Sequence, residues 1–156
     1  YKLGAVRDEH GAWHEAIKLS EQPTKISNPG KLAVRRLRNA GELVADIIYD
    51  SDAGLVAPVL HDIEDPFRPP YAPVFDDAAD LLVNYLRAGQ PVHEVDTIEV
   101  ARARCARELA ELSPRARRFL NPQPYPVGLD PHVHTRKQAL VAEARTRAQP
   151  VPTRVP

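Results

Sequence analysis

The chain has 156 residues and a mass of 17.3 kDa, enough for one domain of ordinary size with a modest core. Lys plus Arg and Asp plus Glu both total 21, so no net field steers the protein toward nucleic acid or an acidic membrane, and any anion site must be local. The one cysteine, Cys105, excludes an internal disulfide; no apolar run approaches the roughly 18 residues that span a bilayer, and no basic-plus-apolar leader opens the sequence.

Residues 1–20 alternate apolar and polar side chains through Tyr1, Leu3 and Val6, break at Asp8-Glu9-His10-Gly11 and resume at Trp13, Ala16 and Leu19, which predicts a β-hairpin. Lys2 and Lys18 fall near corresponding positions of its two strands. The loop after it, Ser20 to Lys31, carries Lys25 and ends in Pro29-Gly30-Lys31, a turn that redirects the chain into the next strand. Leu32–Leu37 and Leu43–Tyr49 flank Arg38-Asn39-Ala40-Gly41-Glu42, a second hairpin in which Asn and Gly are expected to supply the positive φ angles. Methionine is absent even at position 1, and YKLGAV reads as the interior of a strand, so the sequence is expected to be part of a longer chain.

Residues 51–76 change character. Pro58, Pro66, Pro69, Pro70 and Pro73 remove backbone donors and exclude a helix across most of the segment, leaving an extended connection along the surface. Residues 79–94 fit a helix through Leu82, Tyr85 and Leu86, or a short hairpin turning at Gly89 before Pro91-Val92; the hairpin is the preferred reading. Ile98, Ala101, Cys105, Leu109 and Leu112 recur at three- and four-residue steps, predicting a helix over 97–112 capped by Asp96 or Thr97. On this reading Arg104–Glu108 and Arg107–Glu111 pair on the outside, and Cys105 faces a core. Ser113-Pro114 ends the helix and starts a helical turn through Leu120. Asn121–Pro126 is a proline-stiffened connector, Asp130-Pro131 caps a last helix reaching Ala148, and 149–156 form a disordered tail.

Chemistry is sparse at the level of motifs. The seven glycines form neither the dinucleotide fingerprint nor the phosphate loop, and Pro29-Gly30-Lys31 only imitates the end of the latter. His132 and His134 diverge by roughly 200° on a helix and lack a third ligand. Cys105 with His93 or His132 is a poor nucleophile–base pair if the thiol is in a core. Asp62-Ile63-Glu64-Asp65 reads as an exposed acidic loop before it reads as a Mg2+ site. Lys2 and Lys18 differ, because two lysines at matched hairpin positions can meet one polyanion as point charges, although solvation is the default for a lysine.

The order of motifs carries more than any one of them. Tyr1-Lys2-Leu3, Ile17-Lys18-Leu19-Ser20, Lys25, Pro29-Gly30-Lys31, Val34-x-Arg36 and, much later, Asn121-Pro-x-Pro-Tyr125-Pro126-Val127 together resemble the C-terminal region of nicotinate phosphoribosyltransferase. The resemblance covers residues 1 to about 145, and its first block is the specific part. It implies an α+β chain in which N-terminal antiparallel hairpins complete an upstream α/β-barrel enzyme and a helical C-terminal region follows. The expected division is a β-rich segment at 1–50, a proline-rich connector with a short hairpin at 51–95, a helical region at 96–148 and the tail.

Members of that family join nicotinate to 5-phosphoribosyl diphosphate and release nicotinate mononucleotide and diphosphate, with ATP hydrolysis coupled through a transiently phosphorylated histidine. The resemblance implies ATP as co-substrate and Mg2+ and leaves a homodimer open, while the single cysteine suits a reducing, cytoplasmic setting. The catalytic histidine and the nicotinate-binding residues belong to upstream motifs, so none of the histidines here inherits that role and this piece alone is expected to be inactive. In the wider family, which includes nicotinamide-specific enzymes, the lysine of the Tyr/Phe-Lys strand matches Lys2 and the lysine opening the next loop matches Lys18, both facing phosphates. Lys25 matches a basic loop residue and ranks below them; Lys31 and Arg36 rank lower still. The rival reading is a non-catalytic covering or dimerisation module with solvated lysines.

Overall fold

A computed structural model describes residues 4–22, 25–65 and 67–148. Lys2 and the tail at 149–156 lie outside these residues. A small hairpin comes first: β1 (Ala5–Arg7) and β2 (Trp13–Glu15) pair antiparallel, Ala5 opposite Glu15 and Arg7 opposite Trp13. Asp8 makes its turn, accepting hydrogen bonds from the backbone N–H groups of His10 and Ala12 through one carboxylate oxygen and binding the His14 ring with the other.

The second predicted hairpin is the centre of the structure. β3 (Leu32–Asn39) and β4 (Glu42–Asp50) pair antiparallel across their whole length, with an irregularity between Leu37 and Arg38. The positive φ angles of the turn fall on Ala40 (49°) and Gly41 (79°), not on Asn39 as expected. A two-residue turn that matches strand twist needs both central positions left-handed, and here an alanine takes the first of them. Gly30, with φ 85°, makes the turn into β3; a side chain there would collide with the Asp50 carboxylate, since a Cβ would lie 2.3 Å from Oδ2.

Three further strands extend this hairpin. β6 (Asp77–Asp80) adds antiparallel to β3; β9 (Val127–Leu129) adds parallel to β4; β5 (His61–Asp62) adds antiparallel to β9, giving the order β5-β9-β4-β3-β6. The parallel strand β9 is the element that short-range patterning does not reveal, because three residues after a proline run carry no periodicity. Gly128 is required there, since a Cβ would lie 2.7 Å from the His61 carbonyl oxygen. Residues 51–76 are largely irregular, as proline dictates, but Leu60 and Tyr71 exchange backbone hydrogen bonds that fold the segment back on itself. Residues 86–91 form the short hairpin, β7 (Leu86–Arg87) with β8 (Gln90–Pro91).

Both helices occur where the spacing places them. α1 (Ile98–Glu111) is capped by the Thr97 hydroxyl, which accepts from the Val100 N–H; α2 (Pro131–Ala148) is capped by Asp130, whose carboxylate accepts from the Val133 N–H at 2.9 Å. Residues 114–117 form turns only, so the expected helical turn through Leu120 is absent. Leu37, Ala45, Ile47 and Leu60 make the buried core cluster, packed by Val44 and Leu55, while Leu129 and Val133 are buried where β9 meets α2.

α1 departs from expectation in its orientation. None of its residues is buried, Ile98 is 69% and Leu109 54% exposed, and Cys105 is exposed instead of facing a core. Its acidic side is what touches the sheet: Glu108 binds Arg36 and Glu111 binds Arg38. Arg104 consequently pairs with Asp96 and not with Glu108, whereas Arg107 keeps Glu111 at 3.9 Å. Two charge-assisted contacts from β3 outweigh the weak attraction of an apolar stripe to a surface already filled.

Asp130 has no exposed surface, and its cap cannot be replaced by water. Asp130→Ala should cost about 1–2 kcal/mol and lower the thermal midpoint by roughly 3–6 °C, whereas Asp130→Asn should keep most of the cap. Thermal melts of the two variants followed by circular dichroism distinguish these outcomes.

Candidate functional site

The sequence marks five cationic positions for phosphate, and among the described ones the structure divides them by whether a carboxylate already holds them. Arg36 is fully engaged. Its Nε and one terminal nitrogen bind both oxygens of Asp46 at 2.9 Å, its other terminal nitrogen binds Glu108 at 2.8 Å, and these partners hold its pKa above the ordinary arginine value. Tyr125 completes the group, donating its hydroxyl to Asp46 at 2.9 Å; burial first, and the Asp46 charge second, push its pKa up. The tyrosine of the proline-tyrosine-proline block therefore serves this ionic group. Lys31 is tied to Asp52 at 3.1 Å.

Lys18 and Lys25 are different. Both are exposed, and neither has a carboxylate partner among the described residues. Their backbones, in contrast, are held. The Lys18 N–H donates to the Ser27 hydroxyl at 2.8 Å and the Ser27 N–H donates back to the Lys18 carbonyl at 3.2 Å, nine residues apart. The Lys25 N–H donates to the Gln22 carbonyl at 2.9 Å. Ser27 is only 3% exposed and Pro29 is fully buried, so one end of the loop is seated in the protein while the two ammonium groups stand at its rim. Asn28 adds a buried Oδ1 with no hydrogen-bond partner among the described residues.

The turn at Gly30 joins this loop to the hairpin strand that leads from the YKL block. The Gly30 N–H donates to the Gly4 carbonyl at 3.3 Å, and a Cβ on Gly4 would lie 2.9 Å from the Gly30 carbonyl oxygen. Gly4 and Gly30 thus let two backbones approach closely, which neither residue shows in the sequence as more than a turn signal.

Two clefts of about 900 and 950 Å3 lie elsewhere. One runs between β2 and α2, lined by Trp13, His14, His132 and Arg136; the other is walled by His61, Arg68, Tyr71 and Tyr125. Lys18 and Lys25 line neither. The other candidates fall apart in space or chemistry. His132 and His134 meet no third ligand, and no group of three or more metal-binding side chains occurs among the described residues. Asp62 accepts from the N–H groups of Asp65 and Glu64 and from Arg68, which hold its carboxyl below the usual range and use its oxygens within the loop.

A family model described as "Nicotinate phosphoribosyltransferase C-terminal domain" matches residues 30–137. The chain belongs to this family. No curated protein matches the sequence. Among solved structures, the crystal structure of human nicotinic acid phosphoribosyltransferase has a similar fold, with a TM-score of 0.64 and 22% identity over 86% of this chain. The match spans 27% of that enzyme's chain. The domain is mixed α+β, as the sequence predicts, and no helix among the described residues is long and apolar enough to cross a membrane.

One titratable pair ties the wall of the second cleft to α2. The rings of His61, on β5, and His134, on α2, stack with centroids 4.2 Å apart, and the Lys137 ammonium donates to the Ile63 carbonyl at 2.9 Å beside them. Burial, then the His61 and Lys137 charges, hold the His134 pKa below the ordinary 6.5. The unfolded chain therefore takes up this proton first as pH falls. The stabilisation is complete above about pH 6.5 and is lost as pH drops from there through the folded-state value. Thermal midpoints should fall between pH 7.5 and 5.5, and His134→Phe, which keeps the stack without the proton, should reduce that fall.

Proposed function

We propose that this domain supplies phosphate contacts to a nicotinate phosphoribosyltransferase, in which a preceding α/β barrel carries the catalytic histidine and the nicotinate site. The reaction joins nicotinate to 5-phosphoribosyl diphosphate, coupled to ATP hydrolysis, and yields nicotinate mononucleotide and diphosphate for NAD synthesis. Lys18 is the principal contact contributed by the described residues, Lys25 its neighbour, and Lys2, outside the described residues, its proposed partner. The observation that supports this most is the contrast among cations. Arg36 and Lys31 are matched by Asp46, Glu108 and Asp52, whereas Lys18 and Lys25, held by backbone hydrogen bonds, have no carboxylate partner among the described residues.

The chemistry follows from charge. Departure of diphosphate concentrates negative charge on its oxygens, and a preplaced ammonium stabilises that state more than the bound substrate. Lys18 and Lys25 take no proton and form no bond to carbon; they hold phosphate oxygens and screen them from one another. Their place at an open rim, lining neither cleft, suits a site whose other wall belongs to the barrel. ATP phosphates present the same oxygens to the same lysines. Mg2+ has no cluster of three or more His, Cys, Asp or Glu side chains to hold it among the described residues. Cytoplasmic location and a homodimer belong to the same proposal.

Lys18→Ala in the intact enzyme tests it. Loss of one charge-assisted contact, roughly 1.5–3 kcal/mol, should lower kcat/KM for 5-phosphoribosyl diphosphate by about 10- to 100-fold with the thermal midpoint unchanged. Unchanged kinetics for both 5-phosphoribosyl diphosphate and ATP in a folded variant would favour a covering module with solvated lysines.

A further inference from the structure

We infer that Ser27 is a positioning residue for the phosphate-binding Lys18, fixing its backbone by closing the loop that follows it. The inference rests on the phosphate role of Lys18 proposed above and adds to it a residue with no charge of its own.

Three observations converge on Ser27. First, its hydroxyl and its N–H make a reciprocal pair with the N–H and carbonyl of Lys18, so the two chain segments are locked in register as in a small antiparallel ladder. The hydroxyl takes the place that a backbone carbonyl has in a strand pair. Alanine has nothing that can replace it, and the Lys18 N–H, which is partly buried, would lose its acceptor.

Second, Ser27 is buried while the residue it holds is exposed. A buried serine in a loop otherwise rich in charge and proline contributes little apolar packing, so its burial is useful chiefly for the hydrogen bond. Third, the segment that carries Ser27 is itself anchored. Pro29 is buried and the Gly30 N–H donates to the Gly4 carbonyl at 3.3 Å, which keeps Ser27 from following Lys18 if the loop moves.

Lysine has a long flexible stem, and a fixed Cα is what converts it from a diffuse counter-charge into a contact that meets phosphate oxygens in one geometry. Loosening the Lys18 backbone therefore weakens the phosphate contact while leaving the charge in place. The nicotinate-binding residues, carried by the barrel, are not touched by this clamp.

The test is a double-mutant cycle in the intact enzyme with 5-phosphoribosyl diphosphate as the varied substrate, comparing wild type, S27A, K18A and the double variant. S27A should lower kcat/KM for this substrate about fivefold to tenfold, with KM for nicotinate within about twofold of wild type and the fold intact by circular dichroism. The double variant should be no worse than K18A, because a positioning residue has nothing left to position once the ammonium is gone. Multiplicative losses in the double variant, equal rises in both KM values, or wild-type kinetics in S27A would each overturn the role of Ser27 while leaving that of Lys18 standing. A K18A enzyme with wild-type kinetics would instead remove the phosphate reading on which the inference rests. If S27A does not fold, S27C, of nearly the same volume but with a weak acceptor, takes its place in the cycle with the same outcomes.

Discussion

The carboxylate of Asp46 holds the domain together. It sits on the central strand β4 with 7% of its surface exposed, and a charge so placed is tolerable only when several donors meet it. Arg36 from β3 binds both its oxygens, Tyr125 donates a third hydrogen bond, and Arg36 passes the link on to Glu108 of α1. The β3–β4 hairpin, α1 and the segment before β9, three parts far apart in sequence, are thereby tied to one another. The placement of β9 depends on the same point, since the Asp46 N–H donates to the Pro126 carbonyl immediately before that strand begins.

This arrangement explains why α1 shows its apolar stripe to solvent. Hydrophobic burial is usually the larger force in docking a helix, but the face of the sheet available to α1 is occupied by Arg36 and Arg38, and these arginines need carboxylates. Glu108 and Glu111 meet that need, and the stripe of Ile98, Cys105 and Leu109 is turned aside. The opposite row of β4, with Ala45 and Ile47, carries the apolar core with Leu37 and Leu60. The Asp46 row is thus ionic where it meets α1, while the Ala45–Ile47 row carries the apolar core and, farther along, the Arg35–Asp80 pair with Tyr49.

The proposed function turns on a contrast of charge. Of the four described cations that the sequence marks for phosphate, Arg36 and Lys31 are matched with carboxylates, whereas Lys18 and Lys25 have no carboxylate partner among the described residues and are tethered at the backbone and open at the side chain. A charge used to bind an anion must stay unpaired until the anion arrives, whereas a charge used to hold a fold must be paired from the start.

Local elements were legible in the sequence because their causes are local. The two N-terminal hairpins, the short hairpin at 86–91, the Thr97 and Asp130 caps and the turn at Pro29-Gly30 all follow from spacing, turn chemistry and capping within a few residues. The ordered lysines and the proline-tyrosine-proline block also sufficed to indicate the family. Tertiary structure alone decided what depended on partners distant in the chain. It placed β9 parallel to β4, turned Cys105 outward, gave Arg36 to Asp46 and Glu108, and joined Ser27 to Lys18. Nothing in the periodicity of β3 or α1 says which side of the helix will meet an arginine, because that outcome is settled by competition between charge pairing and apolar burial once the sheet has formed. A serine in a polar loop likewise looks solvated until the fold buries it beside the one lysine it holds.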